Sequence, residues 1–167
     1  TTVALVDQTP LNNRKRVRFD GRAYALSPST VKMLSVLGLW KELEKTVQPI
    51  LEMKVSDGSV TSGPSPVYMN FDSKDLESGP IAYMAEDRFL KSILNKAVFS
   101  HQGISQFFGS KIVSQNVDDG VVQVELQNKS SIVGKLLIGS DGRFSEIGKR
   151  SGIKRSIFNY EQTSIVC

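Results

Sequence analysis

Asp7, Arg22, Asp141 and Gly142 are the residues whose types and settings could serve chemistry. Asp7 closes the apolar run Val3-Ala4-Leu5-Val6. An acid at the end of a buried strand can accept hydrogen bonds from a sugar hydroxyl. Arg22 sits in the string Phe19-Asp20-Gly21-Arg22-Ala23-Tyr24-Ala25-Leu26-Ser27. Its planar fork of donors suits a phosphate or a ring carbonyl. Far downstream, Leu136-Leu137-Ile138 leads into Gly139-Ser140-Asp141-Gly142. Glycines there let the backbone pass close to a ligand, and Ser145 can cap a helix that follows. Each feature also has a plainer reading: a capped acid, a surface arginine, an Asp-Gly turn.

No Ser-His-Asp arrangement, paired-carboxylate motif or Walker-type phosphate loop occurs in the chain. A bound cofactor is therefore expected to carry the chemistry. A dinucleotide site would also need G-x-G-x-x-G about twenty residues ahead of Asp7. The chain starts beyond that place, so the sequence reads as part of a larger unit.

Composition agrees with a globular domain. The chain has 167 residues, 40% hydrophobic and 23% charged, enough for one ordinary core. No apolar run is long enough to span a bilayer, and no signal peptide is visible. Cys167 is the single cysteine, which rules out an internal disulfide and points to a reducing compartment. His101 has no Cys or His at ligand spacing, so no metal site is expected and a solvated position after a helix is the simpler reading. Net charge is +4, and Arg14, Lys15, Arg16, Arg18 and Arg22 against Asp20 account for all of it. No aromatic series interleaves with that run as a base-stacking platform requires, so nucleic acid is not an expected partner. The run reads as a solvated loop or as an attractor for an anionic cofactor.

The positioning elements follow from periodicity. Residues 3–7 form a strand and 8–28 a loop or excursion. Val31, Leu34, Leu37, Trp40, Leu43 and Val47 recur at threes and fours, which predicts a helix capped by Ser29, interrupted at Gly38 and ended by Pro49. A strand over 50–56 meets a turn at Asp57-Gly58, a loop covers 58–66, and a short strand runs from Val67 to Phe71. A strand over Ile81–Met84 enters Glu86-Asp87-Arg88, where acids favour the dipole of a second helix bearing Phe89, Leu90, Ile93, Leu94, Ala97 and Val98 on one face. Strands near 104–108, 111–117, 122–126 and 132–138 complete a meander, and 163–167 begins another strand. The expected class is α/β, mixed with α+β character, with an added antiparallel sheet.

Several strings in order resemble the FAD-dependent aromatic hydroxylases of ubiquinone biosynthesis, a group of flavoprotein monooxygenases. Asp20-Gly21-Arg22-Ala23-Tyr24-Ala25-Leu26 resembles the family's D-G-R-A-x-A-L segment, and Leu37-Gly38-Leu39-Trp40 its L-G-x-W helix end. Met53-Lys54-Val55-Ser56-Asp57 is similar to the strand that follows that helix. Tyr83-Met84-Ala85-Glu86-Asp87 resembles the family's E-N segment, with Asp87 where Asn is usual. Gly139-Ser140-Asp141-Gly142 with Ser145 resembles G-A-D-G-x-x-S, and Tyr160-Glu161-Gln162 the Y-x-Q that follows. Gly148 departs from the pattern, since the family usually has arginine there, while Lys149 and Arg150 are adjacent.

The resemblance implies a partial FAD/NAD(P)-binding Rossmann-like fold. Its FAD-binding portion would cover about 1–50 and 80–155, interleaved with part of a substrate-domain sheet at about 50–80 and 156–167. It implies FAD as cofactor, NAD(P)H as reductant, O2 as co-substrate and a polyprenylated phenol as substrate, hydroxylated through a flavin C4a-hydroperoxide. Asp7 would bind the adenosine ribose. Arg22 would lie beside the flavin or its phosphates, and Asp141 and Gly142 would approach the cofactor. A cytoplasmic location is implied. Contact with a membrane surface or a biosynthetic assembly, and oligomerisation, stay open. The isolated chain is expected to be inactive. The alternative is a non-catalytic scaffold that no longer binds FAD. Halogenase or polyprenyl-reductase chemistry on the same scaffold is disfavoured by the Asp20–Leu26 string.

Overall fold

A computed structural model of the protein describes residues 1–11, 19–77 and 79–164. Arg14, Lys15, Arg16 and Arg18 of the basic run, and the end of the strand expected over 163–167, lie outside the described residues. The chain divides into two compact units, one drawn from Thr1–Arg16 and Val98–Ile165, the other from Val17–Ala97 with Val166–Cys167. The architecture is mixed α/β with four small sheets among the described residues.

In the first unit, β1 (Val3–Asp7) pairs in parallel with β7 (Ile104–Phe108), from Val3 opposite Ile104 to Asp7 opposite Phe108. An antiparallel meander follows: β8 (Ile112–Asp118), β9 (Val121–Leu126) and β10 (Ser131–Gly134). Asp119 and Gly120 both have positive φ, 44° and 73°, which is what a tight two-residue hairpin between right-twisted strands demands. Val124 and Leu126 of β9 alternate into the buried face. A short helix, α4 (Glu146–Arg150), buries Ile147.

In the second unit, β6 (Ala82–Glu86) lies between β2 (Ala23–Leu26) and β3 (Gln48–Ile50), antiparallel to both. Helices α1 (Pro28–Val36), α2 (Trp40–Leu43) and α3 (Asp87–Ser100) supply the rest of the core. Leu26, Leu34, Leu43, Ala85 and Ile93 are buried together, with Leu39, Trp40, Val47, Phe89 and Leu90 packed around them. These are largely the periodic positions of the sequence. Trp40 meets Tyr83 edge-on, with ring centroids 5.0 Å apart. A hairpin of β4 (Glu52–Ser59) and β5 (Gly63–Asp72) completes the unit.

Several expectations are corrected. The stretch assigned to a loop over 8–28 contains β2, because Ala23–Leu26 finds a ladder partner in β6. Ser27, not Ser29, is the N-cap: its Oγ accepts from Thr30 N at 3.3 Å. Pro28 takes the first helical position, where its missing N–H costs nothing, so the cap must precede it. The helical stretch ends in a 3-10 turn at Glu44–Thr46, and Pro49 lies within β3. Asp57-Gly58 is not the hairpin turn. The register shifts between Ser56 and Gly58 as a bulge, and the chain reverses over 60–62. Leu136–Ile138 has no ladder partner among the described residues, and Leu136 and Ile138 are exposed. Apolar composition favours extended backbone, but a strand also needs a hydrogen-bonding neighbour.

Candidate functional site

In the first unit, Asp7 stands half-buried at the carboxyl end of a parallel strand, the edge where open α/β sheets take ligands. Its Oδ1 accepts from Thr9 N at 2.7 Å, and its carbonyl accepts from Ser110 N at 3.1 Å. These bonds hold the backbone around the carboxylate in one shape.

The turn 139–145 is built as tightly. Gly142 has φ of 84°, a region that L side chains rarely adopt, and a Cβ there would meet nothing within 4 Å. A Cβ on Gly139 would lie 3.0 Å from Ile147 Cγ2, so the helix packs directly on the glycine backbone. Asp141 Oδ2 accepts from Ile147 N at 3.0 Å, and Ser145 Oγ from Gly148 N at 3.0 Å. Desolvation alone would push the Asp141 pKa up, but the Ile147 N–H and the Ser145 side chain outweigh it and hold the carboxyl below its usual value. Gln115 of β8 ties the far end of α4 to the sheet, donating from Nε2 to Ser151 Oγ at 2.8 Å. Arg155 Nη1 donates to the Arg143 carbonyl at 2.7 Å. A Cβ on Gly148 would lie 3.1 Å from Arg155 Nη2, so a guanidinium crosses that glycine.

Arg22 belongs to the second unit, just outside β2. Its Nε and Nη2 grip Asp20 Oδ2 at 2.8 and 2.5 Å, and its N–H donates to Asp20 Oδ1 at 3.1 Å. The ladder sets Ala23 opposite Glu86, and one further bond, Asp87 N to Arg22 O at 3.0 Å, brings Arg22 opposite Asp87. Asp87 is only 4% exposed. Its carboxylate accepts from Tyr24 Oη at 2.8 Å, lies 2.7 Å from Lys91 Nζ and reaches Arg22 Nη2 at 3.6 Å. Burial opposes ionisation of Asp87, yet the Lys91 and Tyr24 donors win and its pKa is lowered. The same bond raises the Tyr24 pKa, with desolvation adding to it. The Asp20 carboxyl is lowered chiefly by its hydrogen bond from the Arg22 side chain. Next to this group, Arg88 stacks on Phe19 and Phe89 at 5.1 and 4.6 Å. Arg88 Nε lies 2.6 Å from Glu86 Oε2 as an ion pair that falls short of hydrogen-bond geometry.

Asp141 and Gly142 thus share one turn, Asp7 ends a strand of the same unit, and Arg22 joins a charged cluster in the other unit. Asp20, Tyr24, Asp87 and Lys91 were not singled out as site residues by the sequence. The available signals were the i, i+4 spacing of Asp87 and Lys91 and the i, i+2 spacing of Arg22 and Tyr24.

The chain matches the FAD binding domain family over residues 4–166. It is similar to the ubiquinone hydroxylase UbiL of Rhodospirillum rubrum, 28% identical, covering 89% of this chain and 33% of that protein. It is also similar to the ubiquinone hydroxylase UbiM of Neisseria meningitidis, 24% identical, covering 99% of this chain and 36% of that protein. The chain therefore spans about a third of the length of the curated relatives it matches. In fold it is similar to PqsL, a probable FAD-dependent monooxygenase from Pseudomonas aeruginosa, with a TM-score of 0.70 at 17% identity over 93% of this chain and 40% of that one. No helix among the described residues is long and apolar enough to cross a membrane. The sequence match along nearly the whole chain and the shared fold lead to one assignment: this chain belongs to the FAD binding domain family.

Proposed function

We propose that this chain is the cofactor-binding part of a FAD-dependent monooxygenase that hydroxylates the ring of a polyprenylated phenol in ubiquinone biosynthesis. The observation that carries the reading is the similarity, along 89% and 99% of this chain, to two proteins named ubiquinone hydroxylases. The residues present suit a dinucleotide. In the first unit a half-buried carboxylate ends a parallel strand and a glycine turn leaves open space at Gly142; in the second unit, taken by itself, an exposed guanidinium keeps Nη1 outside its bonds to Asp20.

In this reading Asp7 accepts hydrogen bonds from the adenosine ribose, held for that by Thr9 N–H. Arg22 donates to a cofactor phosphate or ring carbonyl. Gly142 lets the backbone approach the cofactor, and Asp141 holds the turn in shape by capping α4. When bound, FAD supplies the redox chemistry, drawing electrons from NAD(P)H and activating O2. The protein's own part is to bind, orient and exclude water.

The test uses the full-length protein with NAD(P)H, O2 and a polyprenyl phenol. The expected result is a flavin absorption spectrum and a product one oxygen atom heavier than the substrate. Protein that takes up no FAD even in excess would sink the reading and leave a scaffold without catalysis. Flavin binding without hydroxylated product would leave the family and move the substrate class elsewhere.

A further inference from the structure

We infer that Asp87 is a positioning residue, which holds the Arg22 guanidinium in the orientation that receives an anionic group of the cofactor. This rests on the reading of Arg22 as a cofactor-binding residue. The inference comes from the way the carboxylate is built into the second unit.

Arg22 lies beyond the end of β2, and its side chain is 57% exposed. An arginine so placed samples many rotamers, and ordering it on ligand binding would cost affinity. Two restraints remove that freedom. Asp20 clamps Nε and Nη2 from the preceding turn, and Asp87 reaches Nη2 from the first position of α3. Of the two carboxylates, Asp20 is itself 42% exposed on its side chain, whereas Asp87 is 5% exposed. Asp87 is therefore the more rigid of the two, and it holds Arg22 through a longer ion pair of 3.6 Å, while Asp20 makes the hydrogen bonds. The position of Asp87 is fixed three ways: by Tyr24 Oη, by Lys91 Nζ one turn along α3, and by its backbone bond to the Arg22 carbonyl. Among the described residues, the side-chain contacts of Arg22 involve Nε and Nη2, which leaves Nη1 for a ligand.

Charge and positioning make opposite predictions here. Arg22 and Lys91 balance Asp20 and Asp87, so Asp87→Asn adds one positive charge to the cluster. If field alone governed affinity, that variant would bind an anion more tightly. If Asp87 acts by holding Arg22, it binds more weakly, despite the extra positive charge.

The experiment is FAD titration of the full-length apoprotein, read by quenching of flavin fluorescence. Arg22→Gln, Asp87→Asn and the double variant are compared, with thermal melts of each apoprotein alongside. Arg22→Gln is expected to raise Kd roughly ten- to a hundredfold, the range in which a charge-assisted hydrogen bond counts. Asp87→Asn, which loses a 3.6 Å ion pair but keeps an accepting oxygen, is expected to raise it by about two- to fivefold. The double variant is expected to be no weaker than Arg22→Gln alone, a coupling that a purely structural role would not produce. Tyr24→Phe removes one support of Asp87 while keeping its charge, and is expected to raise Kd by a smaller factor. That variant carries the test if Asp87→Asn does not fold: an unchanged Kd then overturns the inference. Unchanged or tighter binding by Asp87→Asn, with Arg22→Gln weakened, overturns the positioning role and leaves Arg22 as a ligand. Fully additive losses also overturn it. An unchanged Kd in Arg22→Gln overturns the reading of Arg22 and this inference with it.

Discussion

Asp87 carries its charge nearly out of solvent, and its surroundings decide what that costs. Lys91 and Tyr24 more than offset the desolvation, so the folded-state pKa lies below 3.8, the ordinary aspartate value. A group whose pKa is depressed on folding stabilises the fold above its unfolded pKa and loses that contribution as pH falls through the folded value. Stability of the second unit is thus expected to drop on acidification below about pH 4. Asp87→Asn should flatten that drop and cost about 1–3 kcal/mol at neutral pH. Denaturant unfolding at a series of pH values checks both. Asp141 works in the same direction through α4 of the first unit. Of these two acids, the sequence marked Asp141 by its flanking glycines but gave Asp87 only a dipole role. The Tyr24–Asp87 bond spans 63 residues of sequence, and it exists because β2 and β6 pair in one register. No local pattern encodes that register.

At the scale of elements, small residues determine where structure starts and bends. Ser27 Oγ receives Thr30 N–H and also lies within hydrogen-bond reach of Ser29 and Thr30 hydroxyls. Ser27→Ala is expected to destabilise the second unit by about 1 kcal/mol, measured by urea unfolding. Leu43 has 0% exposure, and Leu43→Ala should cost about 2–5 kcal/mol through the cavity it leaves. Gly58 sits at the hairpin bulge, where an added Cβ would lie 2.8 Å from the Gly63 carbonyl oxygen. Gly58→Ala must therefore push two backbones apart, whereas alanine at Gly142 meets only the φ penalty of about 1–2 kcal/mol. Amide hydrogen exchange across Glu52–Asp72 should rise in the first variant and stay unchanged in Gly142→Ala. The Asp57-Gly58 pair shows why part of this was illegible. The same dipeptide suits a tight turn and a bulge, and pairing of the flanking strands selects between them. The α3 face, apart from the exposed Leu94, and the meander of β8 to β10 were legible because period and turn chemistry agree there. Residues 104–108, expected in that meander, pair instead in parallel with β1, because a strand's partner is not written in its local pattern.

At the scale of the whole molecule, apolar side chains remain outside the cores of both units. Leu136, Ile138, Ile157 and Phe158 are exposed in the first, and Val67, Tyr68, Met69 and Phe71 on the hairpin of the second. The 167-residue chain by itself is expected to bind a hydrophobic dye strongly and to turn over no substrate. Under the proposed function, a whole enzyme containing this chain should bind far less dye per molecule. Equal dye binding by both would mean that these surfaces stay uncovered in the larger protein. The division into two units also has an optical consequence. Trp40 is the chain's one tryptophan, and it lies half-buried against Tyr83 at the edge of the core of the second unit. Light absorbed by the indole therefore interrogates that half of the chain and is blind to the other. Comparing its emission with backbone dichroism along a single melt will tell whether the two halves come apart together or in turn, without any label being attached.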